Sequence, residues 1–232
     1  MQMRSIVVNN MQTKAETKNN IPEYDIKSLY PNKKRLSSTQ FLDYEDDPEK
    51  FYLKWVMGVR GEDSLAMQIG RLFSAKYADR SIDADTMLKE IGCKPDFVKM
   101  FDQAVTKLPV LKGGHPEYPL VCEYRGWEFR ATLDDYVGKS FVVIENKTGQ
   151  VVWDQERANT SDQVTFQAWV HWVKHGVAPS KIILNWWNTK QKNFCDMRSF
   201  KTSRSVKYLK QFQERIDLVI DNLEIENLQN IS

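Results

Sequence analysis

The chain has 232 residues, of which 41% are hydrophobic and 28% charged, with a net charge of +2. That length and balance suit one folded domain with a real core, and no run of about 18 apolar residues offers a membrane helix. The three cysteines, Cys93, Cys122 and Cys195, are widely spaced and form no CxxC pair. This spacing argues against a disulfide framework and against a four-cysteine zinc or iron–sulfur site. The first residues lack the charged, apolar and small-residue succession of a secretion signal, so the expectation is an intracellular, cytoplasmic protein.

Residues 1–25 are polar and without periodicity, and are expected to form a loose arm ahead of a single domain over 26–232. Ser37 with Gln40 reads as a capping box opening a short helix, and Asp47-Pro48 as the cap and first residue of a helix over Glu49 to Met57. Asp63 is expected to cap a helix from Ser64 to Ala78 that puts Leu65, Ile69, Leu72, Phe73 and Tyr77 on one side. Short helices follow at about Asp83–Ile91 and Pro95–Leu108, then a loop, Gly113-Gly114-His115-Pro116, with His115 exposed. The helical part thus spans about 36–112, and the sheet begins at Pro119–Tyr124, where Glu123 is a candidate to add a carboxylate near the site described next.

The most informative stretch is Arg130 to Gly149, two strands joined at Gly138-Lys139. The first ends in Asp134-Asp135; the second runs Phe141-Val142-Val143-Ile144 straight into Glu145-Asn146-Lys147. Residues two apart on a strand share a face, so Glu145 and Lys147 point one way and Asn146 the other. Charge interrupting an apolar strand is costly and suggests chemistry. Carboxylates at Asp134 and Glu145 suit a hard divalent cation, which would acidify a bound water, and Lys147 beside them would orient that water or steady a phosphorane. By strand alternation Asp135 shares a face with Trp127, Phe129, Ala131 and Leu133, a pattern that does not by itself decide between the two aspartates, and Asp135 is kept as the second choice of metal ligand.

Beyond the hairpin, Val151–Trp153 extends the strand. Thr160 with Gln163 opens a helix that carries Val164, Ala168, Trp169, Trp172 and Val173 and ends at His175-Gly176. His171 and His175 are read as solvent-facing. Strands follow at about Lys181–Trp187 and Asn193–Phe200, with the adjacent Trp186 and Trp187 on opposite faces. A last helix runs from Ser203 or Ser205 to Asn222. Between Lys181 and Lys210 lie eight Lys/Arg and one Asp, followed by an acidic tail. Such a band is compatible with a phosphate-facing surface, and Arg204, Lys207 and Lys210 near the helix start favour it.

These residues in this order resemble the PD-(D/E)XK nuclease superfamily, in its RecB-like and phage-exonuclease branch. Asp134, an eleven-residue interval and Glu145-x-Lys147-Thr148-Gly149 match its "E-x-K-T-G" form, and Ala131-Thr132-Leu133-Asp134 is similar to the "A-T-P-D" that holds the metal aspartate. That alignment selects Asp134 over Asp135. The run from Ser37 through Phe41-Leu42, Tyr44, Pro48 and Phe51-Tyr52 is similar to the N-terminal signature of the branch. Two departures stand out: Ser74 where Gly-x-x-x-His is usual, and Gln167 where Gln-x-x-x-Tyr is usual.

The resemblance implies an α/β fold, a mixed central sheet flanked by helices with an N-terminal helical region. It implies a Mg²⁺- or Mn²⁺-dependent DNA nuclease without an iron–sulfur cluster. Asp134, Glu145 and the backbone carbonyl of Asn146 would hold the metal and Lys147 would activate water. Gln163, Gln167, Arg130 and Ser74 would meet the substrate. DNA is the implied partner, with a recombination or helicase protein beside it and no membrane. The alternative is a DNA- or partner-binding module on the same fold with weakened catalysis, for which Ser74 and Gln167 speak.

Overall fold

A computed structural model describes residues 34–59, 61–108, 112–189 and 197–228; the expected N-terminal arm and Cys195 lie outside them. The first strand, β1 (Arg35–Ser37), runs directly into helix α1 (Ser38–Asp46). The join is the capping box read from the sequence: Gln40 N donates to Ser37 Oγ and Ser37 N to Gln40 Oε1. Asp47 caps α2 (Pro48–Phe51) by accepting from Lys50 N, but the expected longer helix loosens into one π turn, Tyr52–Val56.

Helix α3 (Leu65–Ala78) is capped by Ser64, not Asp63; the Asp63 carboxylate instead pairs with the Arg71 guanidinium. Helices α4 (Ala84–Glu90) and α5 (Pro95–Lys107) complete the helical part. Strand β2 (His115–Tyr124) starts four residues before Pro119, because His115 and Pro116 pair with Tyr136 and Asp135. β3 (Trp127–Val137) and β4 (Val142–Gly149) are joined by a single 3₁₀ turn, Gly138–Ser140, and by Phe141 in left-handed conformation. Val151–Trp153 does not extend β4. The chain turns there into α6 (Gln155–Thr160) and then α7 (Asp162–His175). Ser161 rather than Thr160 caps α7, so Gln163 is not the third-position partner of a Thr160 box. β5 (Lys181–Asn188), β6 (Met197–Thr202) and α8 (Val206–Leu228) close the chain; of the strand expected over Asn193–Phe200, residues 193–196 lie outside those described.

The six described strands form one mixed sheet organised on β3. β2 runs antiparallel along one edge of β3 for nearly its whole length. The other edge is shared: β1 pairs in parallel with Glu128–Arg130, and β4 pairs antiparallel with Asp135–Val137. Residues 131–134 between them pair with none of the described strands on that edge, and β3 and β4 splay apart there. β5 pairs in parallel with all of β4, and β6 antiparallel with β5.

Apolar side chains cover both faces of the sheet. On one, α7 lays Phe166 and Trp169 on Phe129, with the Phe129 and Trp169 ring centroids 4.9 Å apart, and Phe41 of α1 and Phe212 of α8 stack behind Phe166. On the other, Phe73 of α3 packs on Trp187 and meets Phe101 of α5, with Leu88 of α4 in the same cluster. Trp186 and Trp187 accordingly face opposite ways, and both are core.

Two side chains differ from expectation. Arg204 is buried rather than offered to phosphates. It donates to the hydroxyls of Thr165 and Thr202 and to the carbonyls of Ala158, Ser161 and Ser203, tying the α6–α7 corner to the end of β6. His171 is buried, with Nε2 3.0 Å from Tyr136 Oη and Nδ1 2.9 Å from the Val177 carbonyl, because α7 lays its last turns on the sheet.

Candidate active site

The site forms where β3 and β4 part. Just beyond the last ladder pair, Asp135 with Ile144, the backbone N–H of Asn146 donates to Asp134 Oδ2 at 2.5 Å. Side-chain alternation along β3 breaks at this residue. Phe129 and Leu133 lie in the core under α7, so Asp135 should join them; instead it turns to α3, where Tyr77 Oη donates to its Oδ2 at 3.0 Å. Gly114 makes room for it, since a Cβ there would stand 2.4 Å from the Asp135 carboxylate. The paired strand kinks at the same level: the register leaves Glu117 opposite Asp134, and Glu117 has φ 49°. Asp134 is thereby aimed across the gap, and Asp135 becomes a buried structural carboxylate.

On β4 the expected division of faces holds. Glu145 is 3% exposed and turns towards α7. Its Oε1 accepts from Lys147 Nζ at 2.5 Å and from Gln163 Nε2 at 2.8 Å, and its Oε2 from Gln167 Nε2 at 2.6 Å. Lys147 Nζ also donates to Gln163 Oε1. Gln163 thus grips both the carboxylate and the ammonium. Gln167 does not reach substrate space as expected: it is 1% exposed, and its amide N–H groups go to Glu145 and the Thr132 carbonyl. One helical turn further into the core than Gln163, it lies behind the carboxylate. Asn146 faces the other way and accepts from Asn185 Nδ2, while Asn185 Oδ1 accepts from Ser199 Oγ.

An open cleft of about 1080 Å³ lies over these residues. Asp134, Glu145, Asn146, Lys147, Gln163, Arg130 and Ser74 all line it, the last from α3. Glu117, which sequence reasoning missed, adds a third carboxylate. The Gly-Gly-His-Pro run in front of it reads as loop, and only the pairing with β3 makes it strand. Glu123 lies at the other end of β2, exposed and opposite Glu128. Towards β1 the cleft is cationic and hydroxyl-rich, with Arg35, Arg130, Ser38, Thr39 and Thr132, and both arginines contact Glu128.

Burial, and then the charge of Glu145, hold the Asp134 carboxyl well above the usual carboxylate range, against the Asn146 N–H and Lys147. Burial and Glu145 also push Glu117 up. One lysine does not neutralise this group, and a divalent cation would. Among the described residues no three His, Cys, Asp or Glu side chains make a metal cage by themselves. The oxygen-only set of Asp134, Glu145 and the Asn146 carbonyl fits instead a Mg²⁺-like ion, which takes one or two carboxylates and completes its shell with water and phosphate.

The fold of this chain, a mixed sheet flanked by helices and opening between β3 and β4, is similar to that of solved exonuclease structures. Two solved structures share it. One is a candidate exonuclease of Eubacterium rectale, at a TM-score of 0.62 and 13% identity, covering 100% of this chain and 89% of that one. The other is the alkaline exonuclease LHK-Exo of Laribacter hongkongensis in complex with dAMP, at a TM-score of 0.51 and 12% identity, covering 84% and 91%. At these identities the likeness is one of fold. No protein-family model matches the sequence, and no curated protein does.

Proposed function

We propose that the protein is a Mg²⁺- or Mn²⁺-dependent deoxyribonuclease that hydrolyses phosphodiester bonds from DNA ends, in recombination, repair or phage DNA processing. The observation that carries this is the meeting of Asp134, Glu145 and Lys147 at the mouth of a cleft whose other end is cationic. A bound divalent ion would neutralise phosphate charge and supply an acidified water. Lys147, held by Glu145 and Gln163, keeps its ammonium beside the carboxylates, where it would orient a water and steady the charge that develops on the phosphoryl oxygens. Arg130, with the hydroxyls of Ser38, Thr39 and Thr132, receives the neighbouring phosphates. Ser74 supplies a neutral hydroxyl from α3. Action at ends is supported by the exonuclease names of both fold relatives. A recombination or helicase protein is the partner this activity calls for. Among the described residues no helix is long and apolar enough to cross a membrane, in keeping with a cytoplasmic site of action.

One observation favours a second reading, a DNA-binding module with lost catalysis: both Glu145 oxygens are already engaged by amides and the lysine. End-labelled linear and circular DNA, single- and double-stranded, incubated with Mg²⁺ or Mn²⁺ separates the two. We expect metal-dependent loss of linear DNA, sparing of circles, and no loss with Lys147→Ala or Glu145→Ala. Binding without cleavage by the unmodified chain would leave only the module.

A further inference from the structure

A second cavity of about 400 Å³ lies beside the cleft. Ala66 of α3 and Thr148 of β4 line both. The two spaces divide along α3. Met67, Gly70, Arg71 and Ser74 look into the cleft, and Leu65 and Ile69 into the side pocket. Ala66 and Thr148, both small, form a low saddle between them. The saddle is close-built, because α3 crosses β4 where a Cβ on Gly70 would come within 3.2 Å of Thr148 Oγ1.

The pocket's chemistry differs from the cleft's. Among its described lining residues Lys94 alone is charged, and none carries a carboxylate. Leu65, Ile69 and Phe97 give an apolar wall, and Thr148, Gln150 and Thr189 give hydroxyl and amide groups at the rim. A flat heterocycle with polar edges and one attached phosphate fits that lining: apolar faces for the ring, amide and hydroxyl for its edge, Lys94 for the phosphate. The route also fits. From Glu145 along β4 to Gly149 is four residues, roughly 13 Å at strand rise, a distance that a nucleotide or two of extended strand covers.

We propose that this pocket holds one unpaired nucleotide of the bound strand, next to the one whose phosphate lies at Asp134 and Glu145. The inference rests on the nuclease reading and deepens it. A base enters the pocket only when it is out of a duplex, so the pocket selects single-stranded or frayed ends. It also sets how the strand leaves the cleft, over Ala66 and Thr148, at the opposite end from the arginines near β1 that receive its phosphates.

The test uses the full chain and single-stranded oligonucleotides carrying one 5-iodouracil at successive positions, with Ca²⁺ in place of Mg²⁺ during irradiation. We expect one position to crosslink to the peptide that contains Phe97, and a fully paired duplex not to. Cys93→Phe fills the pocket from one wall. Gly149→Phe fills it from the other, and a Cβ there meets no atom within 4 Å. Both should lose the crosslink and weaken oligonucleotide binding about tenfold or more, the range expected for a lost base stack. Crosslinks confined to cleft residues such as Met67, or unaltered binding by both filled variants, would overturn the proposal. The same preparation is assayed for DNA loss with Mg²⁺. Cleavage without the pocket crosslink removes this inference alone, and absence of both binding and cleavage removes the nuclease reading with it.

Discussion

At Asp134 a carboxylate sits where burial and the neighbouring Glu145 both oppose its charge. A carboxyl raised in the folded state contributes stability that is full below its unfolded pKa and is lost as pH rises through the raised folded value. The metal-free protein is therefore less stable at neutral pH than this site would otherwise allow, and a cation bound there would offset the loss. Asp134→Asn keeps an acceptor for the Asn146 N–H and removes the repulsion. We expect it to stabilise the metal-free chain at pH 7, because burial and Glu145 no longer oppose a charge there, while abolishing cleavage. Urea denaturation with and without Mg²⁺ checks this: the metal should stabilise the unmodified chain and not the variant. Asp135, one residue on, is held by a hydrogen bond from the other side of the sheet. Its stability rests on Tyr77, and Tyr77→Phe, which leaves a buried carboxylate short of a donor, should cost about 1–3 kcal/mol, read as a lowered denaturation midpoint.

Helix α7 brings two kinds of polar side chain to the sheet. At its start Gln163 and Gln167 grip Glu145; at its end His171 is sealed between Tyr136 Oη and the Val177 carbonyl. Burial first, opposed by the Val177 carbonyl and aided by His175 and Lys174, pushes the His171 imidazole down to about 4. The faces of Phe141 and His175 close the remaining sides. A histidine depressed in the folded state is neutral there while the unfolded chain binds a proton below about 6.5. Stability should thus fall as pH drops from about 6.5 through 4, by on the order of 2–3 kcal/mol. Comparing urea midpoints at pH 7 and pH 4.5 for the unmodified chain and His171→Gln tests this, and the variant should show the smaller fall.

Over the whole molecule, charge is divided within one cleft, with carboxylates at the β3–β4 opening and arginines towards β1. The basic band expected around Lys181–Lys210 is a weaker candidate, since Arg204 is internal. Phosphate contacts release counterions, so DNA affinity should fall steeply with salt. Replacing Arg130 with Ala should weaken binding evenly across sequences and reduce the slope of log affinity against log salt by about 1. Titrations of a fluorescent oligonucleotide at several salt concentrations measure it, and an unchanged slope would place the phosphate path elsewhere.

Local signals determined a good part of this protein. The Ser37–Gln40 box, the Asp47-Pro48 start, the β3–β4 hairpin, the opposed tryptophans of β5 and the opposed faces of Glu145 and Asn146 all follow from caps and periodicities within a few residues of chain. The Asp134 and Glu-x-Lys pattern was legible too, because charge ending an apolar strand stands out. What the chain alone left open depends on partners far away in sequence. Alternation put Asp135 with the core of Phe129 and Leu133. Only the opposed kink at Glu117, with Tyr77 and Gly114 waiting on the other side, turns it away and aims Asp134 into the gap. Glu117 itself was hidden by the Gly-Gly-His-Pro run, since nothing local says that His115 will pair with Tyr136. Gln167 looked like a substrate contact until α7 was laid on the sheet and a buried carboxylate claimed its amide. Backbone propensity acts over a turn or two of chain, whereas a buried charge is assigned by whatever donors the fold brings within about 3 Å of it.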